Sequence, residues 1–148
     1  MTNVRSRNTG FTLIELLVVV ALIAIASGLA SLALRDPAAT QLEQEGARLA
    51  ALLEAARAEA RASGLMVSWE PHGLDAQSPN FRFVGLPPSD ELPQYWLTPG
   101  VSADVIGARA VVLGPEPLIG AQRIVLSLAD RRLVLETDGL GPFVVTSE

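Results

Sequence analysis

The feature that most constrains this chain is an unbroken apolar run from Phe11 to Leu34, FTLIELLVVVALIAIASGLASLAL, in which the single charged residue is Glu15. As a helix the run would reach about 36 Å, enough for the roughly 30 Å hydrocarbon core of a bilayer. Arg5 and Arg7 precede it and Arg35 and Asp36 follow it. The positive-inside rule therefore leaves the amino terminus in the cytoplasm and exports everything after Leu34. One membrane crossing and one folded domain beyond it is the expectation for 148 residues.

A conventional secretory signal has an apolar region of about 7 to 15 residues and then a small-residue cleavage site. This run is longer and carries a carboxylate near its start, although the small residues from Ala26 to Ala30 imitate such a site. A plain signal anchor is the other ordinary reading, and Glu15 argues against it. A charge inside an apolar membrane helix costs about 2.5 to 3.5 kcal/mol at the centre and less near an end, and such groups usually have partners. Glu15 lies one helical turn after Phe11, on the same face, toward the positive end of the helix dipole. Cleavage before Phe11 would create an α-ammonium there, a counter-ion for the carboxylate on its own or a neighbouring chain. A carboxylate close enough to the interface to stay wet is the alternative these residues leave open.

The residues Gly10-Phe11-Thr12-Leu13-Ile14-Glu15, with bases before them and a long apolar helix after, resemble the class III signal of type IV pilins and type II secretion pseudopilins. The resemblance implies that a prepilin peptidase/methyltransferase cuts after Gly10 and methylates the amino group of Phe11. Glu15 then corresponds to the family's residue that docks on the terminal amine of an adjacent subunit during assembly. A helix followed by a small, cysteine-free β domain ending near Asp138-Gly139-Leu140-Gly141-Pro142-Phe143 is similar to general secretion pathway protein H, a family of minor pseudopilins, and to FimT-like minor pilins. The implied fold is α+β and type IV pilin-like, a long amino-terminal helix packed on a small antiparallel β-sheet domain. The implied role is that of a structural subunit near the tip of a periplasmic pseudopilus, supporting export of folded proteins across the outer membrane. Its implied partners are the peptidase, other major and minor pseudopilins and the inner membrane. A minor pilin of a type IV pilus, with a role in DNA uptake, is the alternative.

The chain accordingly divides into a leader (1–10), a transmembrane helix (11–34), an amphipathic periplasmic helix (35–64) and a β-rich periplasmic domain (65–148). Pro37 lacks an amide proton and disfavours helix at Asp36, which predicts a break over 35–39 and a restart near Thr40, where Thr40 and Glu43 have capping-box spacing. Leu42, Leu49, Leu53, Ala56 and Ala60 then recur at helical spacing, while Glu43, Glu45, Arg48, Glu54, Arg57 and Arg61 supply polar faces until Ser63-Gly64 ends the element. Beyond Gly64, short β-type runs are predicted over 65–70, 81–84, 95–97, 110–113, 123–128, 132–136 and 142–146. The fifth and sixth of these are joined by a turn at Ala129-Asp130 or Asp130-Arg131.

Little in this sequence points to chemistry performed by the chain itself. Without cysteine there is no thiolate nucleophile and no Cys-based zinc site, and a lone histidine, His72, excludes multi-His metal centres. Asp104, Asp130 and Asp138 fall in no compact run of oxygen ligands and suit turns better than calcium. Gly139-x-Gly141 is too short for a phosphate loop. Trp69, Tyr95 and Trp96 suit sheet packing better than a partner-binding face. Removing Arg5 and Arg7 from the formal charge of −5 leaves −7 on the chain from Phe11 onward, a poor partner for nucleic acid. The expectation is a structural protein rather than an enzyme, with no cofactor, no metal, no nucleic acid and no small-molecule substrate.

Overall fold

The computed structural model describes residues 12–33, 36–72, 78–88 and 91–146. The chain forms two units, Met1–Asp36 and Pro37–Glu148. The first contains helix α1, Leu13–Ala33. Consecutive helical residues are about 100° apart, and Leu16, Leu17, Val18, Val19 and Val20 are all at least 41% exposed, so over this stretch the helix presents exposed apolar residues on every face.

The second unit is built on helix α2, Pro37–Ser63. It starts at Pro37 rather than near Thr40. Proline suits the first helical turn, where its fixed φ is helical and its missing N–H is not needed. The predicted capping pattern at Thr40 and Glu43 therefore lies inside the helix. Leu42, Leu49, Leu53, Ala56 and Ala60 form the buried stripe that their spacing predicts, with no more than 2% of any of them exposed. Gly46 completes the stripe. A Cβ there would lie 2.7 Å from Leu133 Cδ2, so glycine is what lets the helix approach the sheet this closely.

Among the described residues seven strands follow: β1 Val67–Pro71, β2 Phe81–Val84, β3 Ser102–Val105, β4 Val111–Gly114, β5 Gln122–Leu128, β6 Arg131–Thr137 and β7 Val144–Thr146. They form two sheets, ordered β2-β1-β4 and β3-β5-β6-β7, with every pairing antiparallel. In the larger sheet Ile124, Leu126, Leu133 and Leu135 are buried in the core shared with α2, together with Trp69 and Phe81 of the smaller sheet. Gln122 links the two sheets. Its Oε1 accepts from the Val112 N–H at 2.7 Å and its Nε2 donates to the Val112 carbonyl at 2.8 Å, so a side-chain amide stands in for a strand along that edge of β4.

The β5–β6 hairpin turns at Ala129-Asp130, with Leu128 paired to Arg131. Ala129 adopts a left-handed φ of 54°, which an L residue with a Cβ tolerates poorly.

The predicted strand at 95–97 is absent and β3 is present where none was expected. Side chains satisfy the 95–98 backbone instead of a ladder. Asn80 Oδ1 accepts from Trp96 N–H at 3.0 Å, Glu45 Oε1 accepts from Thr98 N–H at 2.6 Å, and Arg48 donates to the Tyr95 carbonyl at 3.0 Å.

Candidate processing and assembly site

Gly10 and Phe11, the residues predicted to flank the cleavage, lie outside the described residues. Glu15 sits in the first turn of α1, exposed. Its N–H donates to the Thr12 carbonyl at 3.1 Å and to Thr12 Oγ1 at 3.3 Å, and the Leu16 N–H also reaches the Thr12 carbonyl at 3.2 Å. Thr12 is thus the N-cap of α1, with Glu15 at the third helical position, and both a hydroxyl acceptor and an acidic residue serve the positive end of the helix. The signal for this was present as Thr12-x-x-Glu15, the same spacing assigned to Thr40 and Glu43. It was obscured because a transmembrane reading of Phe11 to Leu34 puts the helix start at Phe11.

Among the described residues no helix is long and apolar enough to cross a membrane. The apolar run itself extends beyond the described residues at both ends.

A second polar constellation was not foreseen. Glu45 and Arg57, expected on the solvent faces of α2, are each only 2% exposed. Arg57 Nη1 donates to the Gly141 carbonyl at 2.8 Å, and Nη2 donates to the Gly139 carbonyl at 2.9 Å and the Pro117 carbonyl at 3.4 Å. Glu54, one turn before it, lies 3.7 Å from Nη1 and accepts from the Phe143 N–H at 3.1 Å. The pair grips the loop leading to β7 from both ends. The loop also braces itself. Asp138 Oδ1 accepts from the Gly141 and Leu140 N–H groups at 2.8 and 2.9 Å, and these amides hold its carboxyl below the usual aspartate range, Gly141 first and Leu140 second. Gly139, at φ +90°, packs so tightly on Gly120 that an added Cβ would meet its backbone at 2.8 Å.

The remaining singled-out residues are dispersed. Asp104 is on β3, Asp130 in the hairpin turn and Asp138 in the clasped loop, where its Oδ1 is already engaged by amides. His72 Nδ1 is 3.3 Å from the Glu70 carbonyl. Trp69 is fully buried, its ring 5.8 Å from that of Phe81, while Trp96 packs 4.6 Å from Phe81 and Tyr95 stays exposed. Trp69 and Trp96 are therefore packing residues, Trp69 from β1 and Trp96 from a segment that forms no strand.

The prokaryotic N-terminal methylation motif matches residues 5–31. No curated protein matches the chain. Among solved structures, the crystal structure of the type IV minor pilin FimU of Pseudomonas aeruginosa aligns with 74% of this chain and 89% of its own length, at a TM-score of 0.51 and 14% identity.

The fold is that of a type IV pilin.

A pilin fold of this kind puts a long amino-terminal helical region ahead of a small antiparallel sheet domain, the α+β layout expected from the sequence. With the methylation motif at its amino end, the chain is type IV pilin-like in both parts.

Proposed function

We propose that this chain is a minor pseudopilin of a type II secretion system. It is made as an inner-membrane precursor crossing once through the run from Phe11 to Leu34, with its amino terminus cytoplasmic and the unit from Pro37 onward periplasmic. A prepilin peptidase cuts between Gly10 and Phe11 and methylates the new amine. The mature subunit then joins other pseudopilins near the tip of the pseudopilus, where Glu15 pairs with the Phe11 amine of a neighbour. The role is structural and needs no catalytic site in this chain.

The observation that carries this reading is the methylation motif over residues 5–31, whose part from Leu13 onward lies on a helix with apolar residues on every face. An uncovered apolar cylinder is stable only in lipid or against other helices, and a filament subunit moves from the first environment to the second. Secretion is preferred to a pilus because the layout around Asp138 to Phe143 is similar to that of the H-type pseudopilins, and because an acidic chain is ill suited to nucleic acid. The second reading, a minor pilin of a type IV pilus, draws support from the likeness to FimU.

Replacing Glu15 with Ala should leave cleavage intact and abolish incorporation into the filament, read by comparing processed protein in membranes with that in sheared filaments. Normal incorporation of the variant would refute the role given to Glu15. Deleting the gene separates the two readings: lost protein export with intact pili supports the first, and lost pili with intact export supports the second.

A further inference from the structure

Asp138-Gly139 is the only Asp-Gly step in the sequence. At such a step the glycine nitrogen, unhindered by a Cβ, can attack the aspartyl carboxyl carbon. A C–N bond forms, a C–O bond breaks, and the amide hydrogen leaves with the carboxyl hydroxyl as water, giving a succinimide. Hydrolysis returns one water, and opening at the backbone carbonyl leaves the chain running through the aspartyl β-carbon as isoaspartate. Asp138 is exposed, so exclusion of water does not prevent either step.

Three sets of contacts oppose the attack. The Gly139 N–H, which holds the attacking nitrogen, donates to Thr137 Oγ1 at 3.0 Å, and that hydroxyl in turn donates to the Gly141 carbonyl at 2.9 Å. Asp138 Oδ1 is drawn forward along the chain by the Gly141 and Leu140 amides. Arg57 fixes the Gly139 and Gly141 carbonyls, and so restrains the chain just beyond the Asp138-Gly139 peptide that would have to rotate for ring closure.

We propose that Asp138-Gly139 is an isoaspartate site held closed by the fold, with Thr137 as the positioning residue that keeps the Gly139 nitrogen from the Asp138 carboxyl group. The Gly141 and Leu140 amides, which hold the Asp138 carboxyl below the usual aspartate range, act in the same direction, because attack proceeds on the uncharged carboxyl and these amides favour the ion. The site also has a structural consequence. Isoaspartate adds a backbone methylene at Asp138, which displaces the carbonyls that Arg57 holds and frees the loop leading into β7.

The test follows isoaspartate at position 138 in the full chain in detergent, incubated at neutral pH and measured by peptide mapping with isoaspartyl methyltransferase labelling. Folded wild type and Thr137→Ser, which keeps the hydroxyl, should convert more than about tenfold more slowly than urea-unfolded chain, since the Asp138 and Arg57 contacts add to the hydrogen bond of Thr137. Thr137→Val should convert about tenfold faster than Thr137→Ser while retaining native tryptophan fluorescence, the factor expected for one hydrogen bond of ordinary net strength. Equal rates in folded and unfolded wild type would overturn the closed site. Equal rates in folded Thr137→Val and Thr137→Ser would overturn the role of Thr137, and Thr137→Ala replaces the valine variant should that one fail to fold.

Discussion

Arg57→Met is the most informative perturbation of the second unit. Methionine keeps most of the aliphatic stem and removes the guanidinium, so the change isolates the polar clasp from packing. The Gly139 and Gly141 carbonyls lose donors at 2.9 and 2.8 Å, Pro117 loses a weaker one at 3.4 Å, and Glu54 loses its counter-charge at 3.7 Å. Hydrogen bonds to a charged group are worth about 1.5–3 kcal/mol each, and removing one partner from a buried ionic network costs about 3–5 kcal/mol in total. We take the second range, since the carbonyls of an exposed loop can recover water once the loop opens. For a unit of this size that loss lowers the midpoint of unfolding by roughly 12–25 °C. Thermal unfolding of the full chain in detergent, followed through the fluorescence of Trp69 and Trp96, both in this unit, reports on it without interference from α1. A shift under about 4 °C, equivalent to less than about 1 kcal/mol, would refute the claim that Arg57 holds the carboxyl-terminal loop.

Two further outcomes are expected. Ala129→Gly should stabilise the second unit by about 0.5–1 kcal/mol, because the left-handed conformation at φ 54° costs an L residue more than glycine loses in chain entropy, and denaturant titration showing a loss would contradict this. Asp138 is bound by amides in its ionised form, so its contribution is fully present above the ordinary aspartate range and disappears as the pH falls through its lower folded value. The stability gap between wild type and Asp138→Ala should therefore close on acidification, and a gap that widens would reverse the sign of the argument.

The parts of this fold that were legible in the sequence are those set by local periodicity. The α2 stripe from Leu42 to Ala60, the strand at Phe81–Val84 and the hairpin at Ala129-Asp130 each follow from spacing between near neighbours. β3 was not legible because Ser-Ala-Asp-Val has weak strand propensity, and its pairing with β5, from Ser102 with Ser127 to Val105 with Ile124, is decided by residues far along the chain. The burial of Glu45 and Arg57 was hidden for the same reason. Charged residues on a helix read as solvated until distant backbone, Thr98 for one and Gly139 and Gly141 for the other, supplies the partners that make burial tolerable. At the amino end, a carboxylate in an apolar run makes Glu15 conspicuous, whereas the cap formed by Thr12 was missed because a threonine there is not.

The central claim is that this chain becomes functional by losing Met1 to Gly10, and it is tested most directly by intact mass and amino-terminal sequencing after co-expression with the cognate prepilin peptidase. The account predicts a product that begins at N-methylated Phe11. A product still beginning at Met1, or one beginning near residue 31 as a conventional signal cleavage would give, would contradict it.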